Sequence, residues 1–196
     1  MGQETRDLLS TYQRLSEADG ERLIRMVQGM PFVADISRSD MALYVWTGEQ
    51  EAVAVAQARP HSIMPVHSES LLGSRIGPED NAAVFGAVRR GYRVRDSRRL
   101  ITGTAPVRQE VWPVRGSDGK VIAALDIEAH DIAYVRQKSR SKVFQRAVRI
   151  LQRMLLLDEL TGVAGLTPFR QHDGILVVDG KRVTRYASGI VTDHYR

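Results

Sequence analysis

The sequence predicts an α+β chain, with helices flanking an antiparallel sheet, then a long helix and a short second hairpin. Three observations carry this. First, MALYVWT (41–47) and EAVAVAQAR (51–59) are apolar runs joined by Gly48-Glu49-Gln50, and APVRQEVWPVR and KVIAALDIE flank Ser117-Asp118-Gly119. Both patterns read as antiparallel hairpins, the second with a strong Asp-Gly turn signal. Second, stretches with 3-4-3 apolar spacing lie before, between and after these hairpins. Third, another Asp-Gly strand pair follows only after a long amphipathic stretch at 139–160.

The elements follow in order. Residues 4–15 make a short helix with Leu8, Leu9, Tyr12 and Leu15 on one face. Ser16 opens a second helix with Asp19 three residues on, a capping-box pattern. It buries Leu23, Ile24, Met26, Val27 and Met30, and Pro31 ends it or restarts it. After the first hairpin, residues 60–77 are broken by prolines and glycines and read as loop, with one short strand near Val66. Pro78 opens a helix with acids in its first turn, Arg89-Arg90 in its last and Gly91 as its cap. Residues 92–103 read as an arginine-rich link to the second hairpin. In that hairpin's second strand, Val121, Ala123, Leu125 and Ile127 point to the core. Asp126 and Glu128 make the opposite face polar.

The stretch 139–160 carries two apolar seams. Val143, Ala147, Ile150, Met154 and Leu157 form one, and Phe144, Val148, Leu151 and Leu155 form the other. Such a helix fits two arrangements: a broad core helix inside one domain, or a joint with one seam on its own domain and the other on a second copy. The chain beyond it favours the joint, because Leu160-Thr161-Gly162 breaks the period and a new strand pair begins at Asp173. The expected organisation is a sensor-like domain at 1–138, a linker helix at 139–162 and the incomplete start of another domain at 163–196. Two strands do not make an independent core, so the chain reads as the N-terminal piece of a longer protein.

Composition narrows the function classes. The 196 residues are 43% hydrophobic and 26% charged, ordinary for a soluble globular protein. The absence of cysteine excludes disulfides, Cys-ligated zinc and thiol catalysis. No apolar run approaches the roughly 18–20 residues of a membrane span, and the polar N-terminus does not resemble a signal peptide. A cytoplasmic, non-membrane protein is expected. The net charge of +5 comes from arginine rather than lysine.

Three stretches carry a family resemblance. EVWPVRGSDGKVIAALDIE (110–128) resembles the closing sheet of a GAF domain, and HDGILVVDGKRVTRYAS (172–188) resembles the opening strands of a PAS domain. With ERLIRMVQGMPFVADISRSDMALYVW (21–46), their order resembles the sensor region of actinobacterial GAF–PAS two-component sensor histidine kinases of the PdtaS type. The resemblance implies a cytosolic homodimer whose GAF and PAS domains bias a downstream core. That core would bind ATP and Mg, phosphorylate itself on histidine and pass the phosphate to a response regulator. Neither a phospho-acceptor histidine block nor ATP-binding boxes occur in these residues, so no catalytic residue is carried over and no cofactor is expected here.

The remaining candidates are polar clusters. Of five histidines only His61 and His67 lie close together, short of the three or four convergent ligands of a metal site, so no metal is expected. His130 sits at a strand end, and His172 adjoins the last hairpin. The run Arg89, Arg90, Arg93, Arg95, Arg98 and Arg99, with Tyr92 among them, is the basis of an alternative reading as a nucleic-acid-binding module. A solvated helix end with arginines paired elsewhere explains the same run, and no nucleic-acid motif accompanies it. Ser68 with His67 and Glu69, or Ser39 with Asp40, makes no triad, because neighbours in sequence point apart. There is no G-x-S-x-G elbow or phosphate-binding loop. Trp46 and Trp112 fall in strands as packing residues. A small-molecule ligand, if bound where the 60–77 loop and the 78–90 helix cover the sheet, would meet His67, Arg93 and Arg95.

Overall fold

The computed structural model describes residues 2–11, 15–48, 50–99, 106–138, 140–163, 165–169 and 173–188. Helix α1 (Gly2–Ser10) begins earlier and ends sooner than expected, docking through Leu8 and Leu9, and Tyr12 falls outside the described residues. Helix α2 (Glu17–Ser37) starts as expected. The Ser16 hydroxyl donates to the Asp19 carboxylate at 2.8 Å, and its oxygen accepts the Asp19 N–H at 3.2 Å. Asp19 also accepts the Ser117 N–H at 2.8 Å. The Ser117 N–H and the Ser16 hydroxyl together hold the Asp19 carboxyl below its ordinary range.

Pro31 does not end α2. A proline removes one helical hydrogen bond, but Val27, Met30, Val33 and Ala34 on both sides of it are buried in the same core. That continuous apolar stripe outweighs the lost bond. The helix stops instead at Arg38, whose φ of 53° turns its N–H back to the Ala34 and Asp35 carbonyls.

The sheet contains β1 (Asp40–Trp46), β2 (Ala52–Ala58), β3 (Arg75–Ile76), β4 (Val94–Arg99), β5 (Pro106–Arg115) and β6 (Val121–His130). The spatial order is β3-β2-β1-β6-β5-β4, and every neighbouring pair is antiparallel. The two expected hairpins meet through β1 and β6, which places those strands at the centre. Two strands depart from expectation. Val66 lies in loop, and the short extra strand is β3 instead. Half of the link expected at 92–103 is β4, an edge strand that tolerates arginines because one side of its ladder has no neighbour among the described residues, and residues 100–103 lie outside those described.

Helix α3 (Ala82–Arg90) starts four residues later than expected. Asn81, not Pro78, precedes it, and its side-chain oxygen accepts the Val84 N–H at 3.3 Å. Gly91 closes it with φ 67°, as its sequence predicts. One face of the sheet packs on α1 and α2 through Met41, Leu43, Val45, Leu125 and Ile127. The other packs on α3 through Ala42, Tyr44, Ala54 and Ala124. The expectation of an outward polar face on β6 is therefore corrected: Asp126 and Glu128 are buried.

The helix expected over 139–160 is one continuous but shorter helix, and a separate helix stands before it. Helix α4 (Asp131–Lys138) precedes a separate α5 (Lys142–Leu156), capped by Ser141, whose oxygen accepts the Phe144 N–H at 3.2 Å. Helix α5 lies close on α2 because Gly29 has no side chain; a Cβ there would sit 2.9 Å from a Leu155 methyl. Last comes the hairpin of β7 (Leu176–Val178) and β8 (Thr184–Ala187). Asp179 accepts the Lys181 and Val183 N–H groups in its turn. Phe169, Ile175 and Tyr186 pack on Ile36, Phe144 and Val148, so a small third core joins hairpin, α5 and α2. Among the described residues no helix is long and apolar enough to cross a membrane.

Candidate functional site

Two places on the sheet concentrate polar chemistry, one on each face. Beneath α3 and the 60–77 loop, the pairing of Asp40 with Glu128 and of Ala42 with Asp126 brings three buried carboxylates together. Asp126 accepts the Asn81 side-chain amide at 3.1 Å and the Gln109 amide at 2.7 Å, and Gln109 donates also to the Asn81 oxygen at 3.1 Å. Asn81 thus caps α3 and anchors it to the sheet at once. Asp40 accepts the Val66 N–H at 3.0 Å and the His67 N–H at 3.2 Å, while the His67 ring Nε2 bonds Glu128. Burial pushes the Asp40 carboxyl above its ordinary range, against the pull of those two amides. The side chains around this cluster leave no space for a water-sized ligand. Its chemistry is that of a latch, holding the loop against the sheet.

The opposite face carries an open cleft of about 700 Å³ between β4–β5–β6 and α5. Arg93 and Arg95 reach Glu110 at 3.1 and 3.2 Å, so two guanidinium groups share one carboxylate. Arg93 also lies 4.7 Å from the centre of the Trp112 ring. Arg108 meets Asp131 at 2.5 Å and stacks 4.7 Å from the Tyr134 ring. Arg149 and Arg153 line the cleft from α5.

The expected ligand set is therefore divided. Arg93 and Arg95 stand together in the cleft, and His67 is on the other face, occupied by Glu128. The reason is strand parity. Val94 packs with the α3 side, which sends its neighbours Arg93 and Arg95 to the α5 side. Arg149 and Arg153 escaped the sequence reading, although their i, i+4 spacing on an amphipathic helix was the available signal. Trp46 packs edge-on against Phe85 with ring centres 5.8 Å apart, as a packing residue should. The Trp112 ring instead forms part of the cleft wall.

The histidines do not converge. His61 bonds Asp35 at 2.9 Å, His130 approaches the Pro65 carbonyl at 3.3 Å, and His172 and His194 lie outside the described residues. Among the described residues no group of three or more metal-ligating side chains forms. On α5 the seams separate. Phe144, Val148 and Leu155 are buried, whereas Val143, Ile150 and Leu157 are 39, 47 and 46% exposed; Ala147 and Met154 are half-buried.

The family model of the histidine kinase PdtaS GAF domain matches residues 5–148, which includes the sheet, the buried carboxylate cluster, the sheet side of the cleft and the first half of α5, and ends before Arg149 and Arg153. The chain belongs to this GAF-domain family. Its role is sensory. The GAF fold is similar to the solved sensor region of a sensor histidine kinase, at 24% identity and a TM-score of 0.71. That match covers 97% of this chain, which spans 66% of the length of the solved one. Other similar structures are an IcIR transcriptional regulator from Alicyclobacillus acidocaldarius and a GAF sensor protein from Burkholderia vietnamiensis. The first is 11% identical with a TM-score of 0.48, covering 84% of this chain and 72% of that one. The second is 16% identical with a TM-score of 0.40, covering 81% and 84%. No curated protein matches the chain.

Proposed function

We propose that this GAF domain is the sensory part of a cytoplasmic, homodimeric histidine kinase and relays its state through α5. The downstream core would use ATP and Mg, phosphorylate its own histidine and pass the phosphate to a response regulator. The β7–β8 hairpin is the opening of a PAS-type domain in this reading. One observation carries the relay: a single helix holds a buried seam on α2 and an exposed apolar seam of Val143, Ile150 and Leu157. A solvent-facing apolar row on a helix whose other row is already packed fits a matching helix of a second copy. Movement of α5 against the sheet would then shift the packing between copies.

The test is light scattering on the chain and on an Ile150→Glu/Leu157→Glu variant. A dimer that the double substitution converts to a folded monomer supports the relay. A chain monomeric at every concentration, or a dimer that ignores both substitutions, sinks it. The nucleic-acid reading of residues 89–99 has less behind it. Arg93 and Arg95 direct their charge to Glu110, while Arg89 and Arg90 project from the end of α3.

A further inference from the structure

The cleft between the sheet and α5 has a charge that its own residues leave uncompensated. Seven arginines and two carboxylates line it. Glu110 serves both Arg93 and Arg95. Arg22 donates to the Arg115 and Leu156 carbonyls, and Arg115 to the Gly91 and Gly119 carbonyls, and among the described residues neither meets a carboxylate. Arg149 and Arg153 meet none among the described residues either. Between these cations the wall is apolar, from Trp112, Pro113, Ile127, Val148 and Leu156. Within that wall the Trp112 indole N–H is buried and lacks an acceptor among the described residues.

We infer that this cleft binds a small amphiphilic anion, with a ring or hydrocarbon body on the Trp112 wall and a strongly acidic head on Arg149 and Arg153. Three features decide the class. The volume, about 700 Å³, suits one small organic molecule. The mixed lining matches a body with both apolar surface and charge. The excess of guanidinium groups selects a carboxylate, sulfonate or phosphate head, because a planar fork meets such oxygens with paired hydrogen bonds. A head held by Arg149 and Arg153 touches α5, and a body held by Trp112 touches the sheet, so occupancy would tie the two together. Binding itself is independent of any dimer or kinase core.

The experiment uses two dyes on the 196-residue chain. 8-Anilinonaphthalene-1-sulfonate has an aromatic body and an anionic head; N-phenyl-1-naphthylamine has the same body without the head. Fluorescence titration is expected to show one saturable site for the sulfonate, with tryptophan-to-dye energy transfer that Trp112→Phe reduces, Trp46 supplying the remainder. The neutral dye should bind at least about tenfold more weakly, the scale of one lost charge-assisted contact. Arg149→Gln/Arg153→Gln should weaken the sulfonate by a similar factor and bring the two dyes level. Arg89→Gln/Arg90→Gln, outside the cleft, should leave both titrations as they were. Circular dichroism confirms that each exposed-arginine variant is folded. Equal binding of the two dyes, or an unchanged sulfonate titration in Arg149→Gln/Arg153→Gln, overturns the proposal. A change in oligomeric state in that variant without a dye response would assign the cleft to a second copy, and also overturns it.

Discussion

Asp40 and Glu128 face each other across β1 and β6, both buried, with His67 joining them through its backbone N–H to one and its ring to the other. Two carboxylates opposite one another in a sheet repel when both are ionised. This pair persists because the 60–77 loop supplies donors to both. Whatever loosens that loop frees two acids beneath it.

A pH signature follows for Asp40. Burial raises its carboxyl above the unfolded value near 3.8. Between that value and the raised one, the folded protein holds a proton that the unfolded chain has released. Stability from this group therefore falls as pH rises through that window. Urea midpoints for the protein and for Asp40→Asn, taken from about pH 3 to pH 7, should diverge there, the parent protein losing stability relative to the variant as pH rises. Parallel curves would show that Asp40 is not the titrating group.

Asn81 joins α3 to the buried amide and carboxylate cluster. Asn81→Ala removes the helix cap and leaves Asp126 and Gln109 each short of a partner. The loss should be about 2–4 kcal/mol, read as a lowered denaturant midpoint. A loss under about 1 kcal/mol would mean that the cap alone mattered.

Asp35 ties three segments. Its carboxylate accepts the His61 N–H at 2.7 Å and the Phe169 N–H at 3.1 Å, and it pairs with the His61 ring. Asp35→Ala should raise hydrogen exchange at the Phe169 and His61 amides above that of the parent protein while β1 and β6 stay protected. Uniformly faster exchange across the sheet would instead mark global destabilisation.

The two seams of α5 should respond oppositely. Val148→Ala cuts into the core shared with Ile36 and Phe144 and should cost about 1–3 kcal/mol in thermal or urea unfolding of the monomer. Ile150→Ala, on the exposed seam, should stay within about 0.5 kcal/mol of the parent protein. Equal losses at both positions would mean that α5 turns a different face to α2.

Local pattern reached far into this protein. Alternating and continuous apolar runs specified both central hairpins, since a strand's period and an Asp-Gly turn are properties of a few consecutive residues. Ser16 and Gly91 marked helix ends for the same reason. Pro31 misled because a local rule met a long-range stripe of buried side chains. Strand β4 was hidden because an edge strand is defined by its partner, and an arginine-rich segment does not announce one. Asp126 and Glu128 read as surface acids until α3 and the loop were seen to close over them.

For the candidate sites the division is sharper. Sequence alone determined the residue types, the sheet's hairpins and two seams on α5. Tertiary structure decided that His67 and the Arg93–Arg95 pair look out from opposite faces, and that Arg149 and Arg153 share a cleft with Trp112. The physical reason is that strand parity and helix docking, not distance along the chain, set which side chains face one another.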